Sequence, residues 1–163
     1  MPSDKMRLRL TILTFLLGTT IPLGQNLKTV EKYSFKNFDS FVFTKEHTYQ
    51  VTWEIKDKAN SFTPDSLDIF ASENEILKQK DVYNSMKYRR QGLSNFDRQY
   101  FGYQNTNGDK ILIINFINTD KGKKGKELKK SIDKDLVTGF GDWYEKNTFR
   151  LSYNLTTNKL DDW

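Results

Sequence analysis

Apolar and polar residues alternate along residues 47–55, HTYQVTWEI. Tyr49, Val51, Trp53 and Ile55 fall on one face and Thr48, Gln50, Thr52 and Glu54 on the other. A period of two predicts a half-buried strand. The same alternation returns at residues 148–155, where Phe149, Leu151, Tyr153 and Leu155 share a face. Between these segments, ILIINFI at 111–117 is apolar on both faces, as a central strand covered on both sides would be. It follows RQYFGYQ across Asn107-Gly108, a pair suited to a two-residue type I′ hairpin turn with positive φ at both positions. That turn sets Tyr103 opposite Leu112 and Phe101 opposite Ile114. Gly102 leaves a gap in its strand for a bulge or a close neighbour. Shorter strands are expected at residues 40–44 and 136–140, with GDWYEKN as a turn and LDDW closing the chain.

A different period governs residues 63–83. Thr63 reads as an N-cap, Pro64 suits the first helical position, and Asp65 complements the helix dipole. Phe62 and Leu67 have the spacing of a hydrophobic staple. Leu67, Phe70, Ala71, Asn74 and Leu77 trace a stripe that Ile69 and Ile76 widen, so this stripe is expected to face the core. Gly92 ends a less regular continuation. The order of elements, one strand, a helix and then several strands on short turns, predicts an α+β fold. In it one main helix packs on a curved antiparallel sheet of about four to five strands, cystatin-like or nuclear-transport-factor-like.

The start of the chain has another logic. Lys5, Arg7 and Arg9 precede an apolar run over residues 10–17, which gives way to small and turn-forming residues. This is the layout of a secretory signal peptide. Residues 1–24 are read as that signal, with cleavage near Gly24-Gln25, and residues 25–163 as one α+β domain. The run is far short of the ~20 residues that span a bilayer, so no transmembrane span is expected after cleavage. A secreted or periplasmic location follows. The net charge is +5 over 163 residues, and the signal's three basic residues and Asp4 supply two of those charges. Aromatics make up 14 % of the chain, enough to build a core from large side chains.

Two hairpins carry a resemblance. RQYFGYQNTNGDKILIINF, followed later by FRLSYNLTTNKLDD, resembles small uncharacterised secreted proteins of Bacteroidetes-type bacteria. In that family a helix leads into a Tyr- and Gly-containing strand, an N-G-D-K turn, an aliphatic strand and a terminal Y-N-L-T-T-like hairpin. The resemblance covers about residues 64–162. It implies a location and a fold class, and it implies no catalytic residues.

Several chemistries lack their residues. With no Cys in the chain, thiolate catalysis, disulfides, all-Cys zinc sites and a lipoprotein anchor are excluded. His47 is the one histidine, so a Ser-His-Asp triad has a single candidate base and a multi-His metal site has no ligands. His47 is expected at a surface strand end. GKKGKELKK has the glycine and lysine content of a phosphate loop without its spacing. Neither a metal nor a cofactor is expected. Glu54, Asp142 and Glu145 are the carboxylates that a small hydrolase would have to bring together.

The reading that remains is an exported non-catalytic domain that binds another protein or a cell-surface polymer. Tyr103, Trp143, Tyr144 and Trp163 are its contact candidates, as aromatics near loops. Residues 121–134 hold seven Lys against Glu127 and Asp133. They are expected to form a mobile loop with a short helix at 126–132. Lys123, Lys124 and Lys126 there offer a weak attraction to polyanions. Without interleaved aromatics, specific nucleic-acid recognition is not expected.

Overall fold

The computed structural model describes residues 30–47, 55–79 and 92–163. The signal segment and most of the alternating stretch at 47–55, including Glu54, lie outside the described residues. Seven strands form one mixed sheet: β1 (Val30–Ser34), β2 (Asp39–Phe43), β3 (Lys58–Phe62), β4 (Asp97–Asn105), β5 (Lys110–Ile117), β6 (Thr148–Asn154) and β7 (Lys159–Asp162). Helix α1 (Ser66–Lys78) lies between β3 and β4, while α2 (Gly122–Leu128) and α3 (Asp142–Asn147) lie between β5 and β6. The α+β class is as expected. Four to five antiparallel strands is an undercount, because β1 and β3 are short and largely polar.

The sheet runs β1-β2-β4-β5-β6-β7. One edge of β4 serves two partners: β2 pairs parallel to its first half and β3 antiparallel to its second, while β5 pairs along its other edge. Every residue of β5 after Lys110 is buried, as its two apolar faces require. On one face α1 packs against Val42, Tyr100, Leu112, Ile114, Leu151 and Tyr153. On the other, Phe41, Phe43, Phe101, Ile111 and Ile113 are covered from the chain around Ile132, Val137, Trp143 and Tyr144.

The β4–β5 hairpin forms, one residue away from its expected register. Tyr103 pairs with Ile111 and Phe101 with Ile113. Gly108 takes φ of 89°, while among the described non-glycine residues only Asn158 is positive. A three-residue loop therefore replaces the type I′ turn. Asn105 causes the change: its side-chain Oδ1 accepts from the amides of Asn107 and Asp109 at 3.0 and 2.8 Å. Gly102 is the close approach its position suggested. A Cβ there would stand 2.7 Å from the carbonyl oxygen of Phe62 on β3.

Helix α1 starts two residues later than its sequence suggests. Asp65 is the N-cap, and it exchanges hydrogen bonds with Asp68 in a reciprocal capping box. The Thr63 hydroxyl instead accepts from the Lys45 amide at 3.0 Å. The helix ends at Lys78 with Gln79 as its C-cap, short of the expected end near residue 83; residues 80–83 lie outside the described residues. The expected core stripe holds only at Ile69, Ile76 and half-buried Ala71. Leu67, Phe70 and Leu77 are 76, 51 and 61 % exposed, while Ile69, Ser72, Glu73 and Ile76 are buried. Those four have the i, i+3, i+4, i+7 spacing of a helix face, and two polar members hid it.

Other expectations also change. Residues 45–47 are helical, so His47 does not open a strand, and it is half-buried. The lysine-rich segment is an ordered helix four residues ahead of its expected place. Gly125 lets it sit on the backbone of residues 118–119, where a Cβ would come within 2.6 Å of the Thr119 carbonyl. Residues 136–140 form no strand, and the turn at 142–147 is helix α3. The 132–137 stretch is instead clasped to the sheet by buried Gln99 and Asn115. Gln99 donates to the carbonyls of Ile132 and Asp135 at 2.7 Å each and accepts from the Val137 amide at 3.0 Å. Asn115 donates to Gln99 Oε1 and to the Val137 carbonyl. Two amides occupy backbone groups that a further strand would otherwise have paired.

Candidate functional site

A cleft of about 260 Å³ opens between α1, the turn joining β1 to β2, and the short 3₁₀ turn Leu93–Asn95 that leads into β4. Its outer wall is apolar: Phe35 and Phe38 from the β1–β2 turn, Phe70 and Leu77 from α1, and Leu93. Phe35 stacks on Phe38 with centroids 4.7 Å apart and meets Phe70 edge-on at 6.0 Å. The chain returns from β1 to β2 over a tight turn, with the Phe35 amide donating to the Phe38 carbonyl at 2.9 Å. That turn holds both rings over the end of β4.

The floor is ionic. Glu73 from α1 and Arg98 from β4 line the same cleft and are 5 and 2 % exposed. Glu73 Oε1 lies 2.7 Å from Arg98 Nε and accepts a short hydrogen bond from the Tyr100 hydroxyl. The Nε–H vector is poorly aligned with Oε1, so this contact is chiefly an ion pair. Arg98 spends its terminal nitrogens on the carbonyls of Phe96 and Leu93, at 2.6 and 3.2 Å. Its guanidinium carbon stands 3.4 Å from the Phe38 ring centroid and 4.7 Å from that of Phe116. Two aromatic faces and two carbonyls thus share a cation that water does not reach.

Burial pushes the Glu73 carboxyl up from its ordinary value, against the opposing pull of Arg98 and the Tyr100 hydrogen bond. Burial, and then the negative charge of Glu73, push the Tyr100 phenol well above its usual range. A perturbed buried pair in an apolar cleft is the pattern that binding sites share. Among the described residues no group of three His, Asp or Glu side chains is placed to hold a metal ion.

The contact candidates read from the sequence lie elsewhere. Tyr103 is 6 % exposed, because β4 is central and the ring is packed in the core opposite α1; it is no contact surface. Trp163 leans edge-on against it at 6.4 Å. Trp143 and Tyr144 do come together, edge to face at 5.3 Å, but both are half-buried against the core. Trp143 Nε1 donates to the Lys121 carbonyl at 3.1 Å, tying α3 to the start of α2. Lys124 Nζ stands 5.6 Å from the Tyr144 centroid, and Lys123 and Lys126 are exposed on the same helix. Asp142 pairs with Lys146 at 3.0 Å along α3, and Glu145 is exposed nearby.

Glu73, Arg98, Tyr100 and Phe38 escaped the sequence reading. One signal was present: Glu73 stands four residues after Ile69 and three before Ile76, inside an apolar stripe. No protein-family model, curated protein or solved structure matches the chain. No helix among the described residues is long and apolar enough to cross a membrane.

Proposed function

We propose that this protein is an exported, non-catalytic binding domain whose recognition surface is the cleft beside α1. The observation that carries the reading is the outward face of that helix. Leu67, Phe70 and Leu77 stay exposed on a helix whose opposite face is fully packed, and two of them form the wall of a cleft with a buried ionic floor. Apolar side chains grouped at a concavity mark interaction sites more often than apolar residues scattered singly. Export rests on the basic and apolar order of residues 5–17. It expects material from the native host to begin near Gln25 by mass spectrometry, and an intact Met1 in a cytosolic fraction would remove it.

The cleft is tested with N-phenyl-1-naphthylamine, a neutral dye that brightens when it leaves water. Emission should rise on addition of the protein. It should fall back in Phe70→Ser, a half-exposed position where circular dichroism should be unchanged. Equal emission from both proteins would sink the reading.

A further inference from the structure

We propose that the cleft takes a small uncharged molecule with an apolar body and a single hydroxyl head, and that Glu73 Oε2 accepts a hydrogen bond from that hydroxyl. The proposal rests on the cleft being the recognition surface, and it adds the chemistry of the ligand.

The walls favour an apolar body, since Phe35, Phe38, Phe70, Leu77 and Leu93 outnumber Asn74 and Ser94, the uncharged polar side chains on the same lining. The floor decides the head. Glu73 and Arg98 are both more than nine-tenths buried and neutralise each other across 2.7 Å. A third charge brought into that site would lose its hydration and gain no free counter-ion. A carboxylate would be repelled by Glu73 and an ammonium by Arg98.

Glu73 is also incompletely used. A carboxylate has about four acceptor positions over its two oxygens. Among the described residues both contacts of Glu73, from Arg98 and from the Tyr100 hydroxyl, fall on Oε1. From these residues Oε2 receives no bond, and Glu73 lines the cleft. Arg98 has the complementary surplus. Each terminal nitrogen carries two N–H groups, and one backbone carbonyl is bonded to each. A hydroxyl is one donor with two acceptor lone pairs, so it satisfies both residues at once. A hydrocarbon of the same shape would leave those positions of both residues unpaired.

Size narrows the class further. An apolar cavity of about 150 Å³ holds benzene, so 260 Å³ admits a ring with a short side chain. 2-Phenylethanol is therefore a fitting probe, with ethylbenzene, phenylacetate and 2-phenylethylamine as its hydrocarbon, anionic and cationic counterparts.

The four probes are titrated at pH 7.5 into the ¹⁵N-labelled protein, and amide resonances of residues 69–77 and 93–98 are followed. The alcohol should bind about tenfold more tightly than each of the others, the worth of one hydrogen bond to a charged group. Leu77→Ser should weaken all four and keep their order. Glu73→Gln keeps an acceptor and deletes the negative charge, so it should raise phenylacetate affinity about fivefold or more towards that of the alcohol. Should the variant fail to fold, the order of the four probes on the unaltered protein still decides. Ethylbenzene binding as tightly as the alcohol, or either ion binding more tightly, overturns the head-group assignment and leaves the cleft reading standing. If none of the four moves these resonances, both fall.

Discussion

Glu73 on α1 and Arg98 on β4 meet with Oε1 2.7 Å from Nε, and each is almost wholly withdrawn from water. The pair is the polar link between the main helix and the sheet, and it sits among Ile69, Ile76, Phe96 and Phe116. Breaking such a pair leaves one charge buried alone, at a cost on the order of 3–5 kcal/mol. Arg98→Met should therefore lower stability by about that amount in urea titrations. The double variant Glu73→Leu/Arg98→Met should recover most of it, because neither charge is stranded. A double variant no better than the single one would show that the pair contributes through its geometry and not through mutual neutralisation.

The same pair gives a pH signature. Glu73 keeps its proton in the folded chain at pH values where the unfolded chain has released it, because its folded value is raised. The folded state then binds more protons, and stability falls as pH rises. The contribution is complete below the ordinary carboxyl value of 4.5 and is lost as pH climbs through the raised one. Tyr100 acts in the same direction at the alkaline end, above 10.0. The urea midpoint of the unaltered protein should thus lie close to that of Glu73→Gln at acid pH, where both side chains are neutral, and fall below it as pH rises from 4 towards 8. A constant separation across that range would contradict the assignment.

Two glycines in the hairpin should fail for different reasons. Gly108→Val forces a β-branched residue into φ of 89°, at roughly 1–3 kcal/mol. Gly102→Ala meets ordinary backbone but drives a methyl to 2.7 Å from the Phe62 carbonyl. It should loosen β3 at a similar cost of about 1–3 kcal/mol, with amide exchange rising in residues 58–62. Asn107→Ala should cost far less than Gly108→Val, since Asn107 does not take positive φ. Equal losses at 107 and 108 would restore the two-residue turn.

The lysines of residues 121–134 give a net local charge of +5 on an ordered helix and its following turns. Apart from Lys129, which pairs with Asp120 at 3.4 Å, and Lys124 beside the Tyr144 ring, they are taken to act as hydrated point charges rather than as a bidentate site. Heparin should bind weakly at low salt and fade through ~0.15 M, where screening acts over about 8 Å. Lys123→Glu/Lys124→Glu/Lys126→Glu should remove the effect. Tight binding that survives physiological salt would make this helix a recognition surface in its own right.

Local pattern made the central part of the sheet legible. The apolar run of β5, the alternation of β6 and the close approach at Gly102 each follow from neighbours a few residues apart. What was hidden depended on distant partners. Glu73 reads as solvent-facing until Arg98 is brought to it. Leu67, Phe70 and Leu77 look like core because helical spacing alone does not say which of two faces has a sheet beneath it. Gln99 and Asn115 look like the polar positions of half-exposed strands, and instead hold a loop through its backbone. The candidate site was missed for the same reason, since its walls and floor come from three separate stretches of chain.

The divided edge of β4 also sets an order of events during folding. Asp39, at the head of β2, is bonded to Asp97 across a separation of 58 residues, whereas β4 and β5 are joined by a tight hairpin. Closing a long loop before any contact rewards it is slow. On that ground the β4–β5 hairpin is expected to form first, and β2 and β3, which join it later, compete for no common site because each has its own half of the edge. A ribosome-bound chain that has emerged only to residue 90 can pair β1 with β2 but lacks the strand on which β2 and β3 both mount.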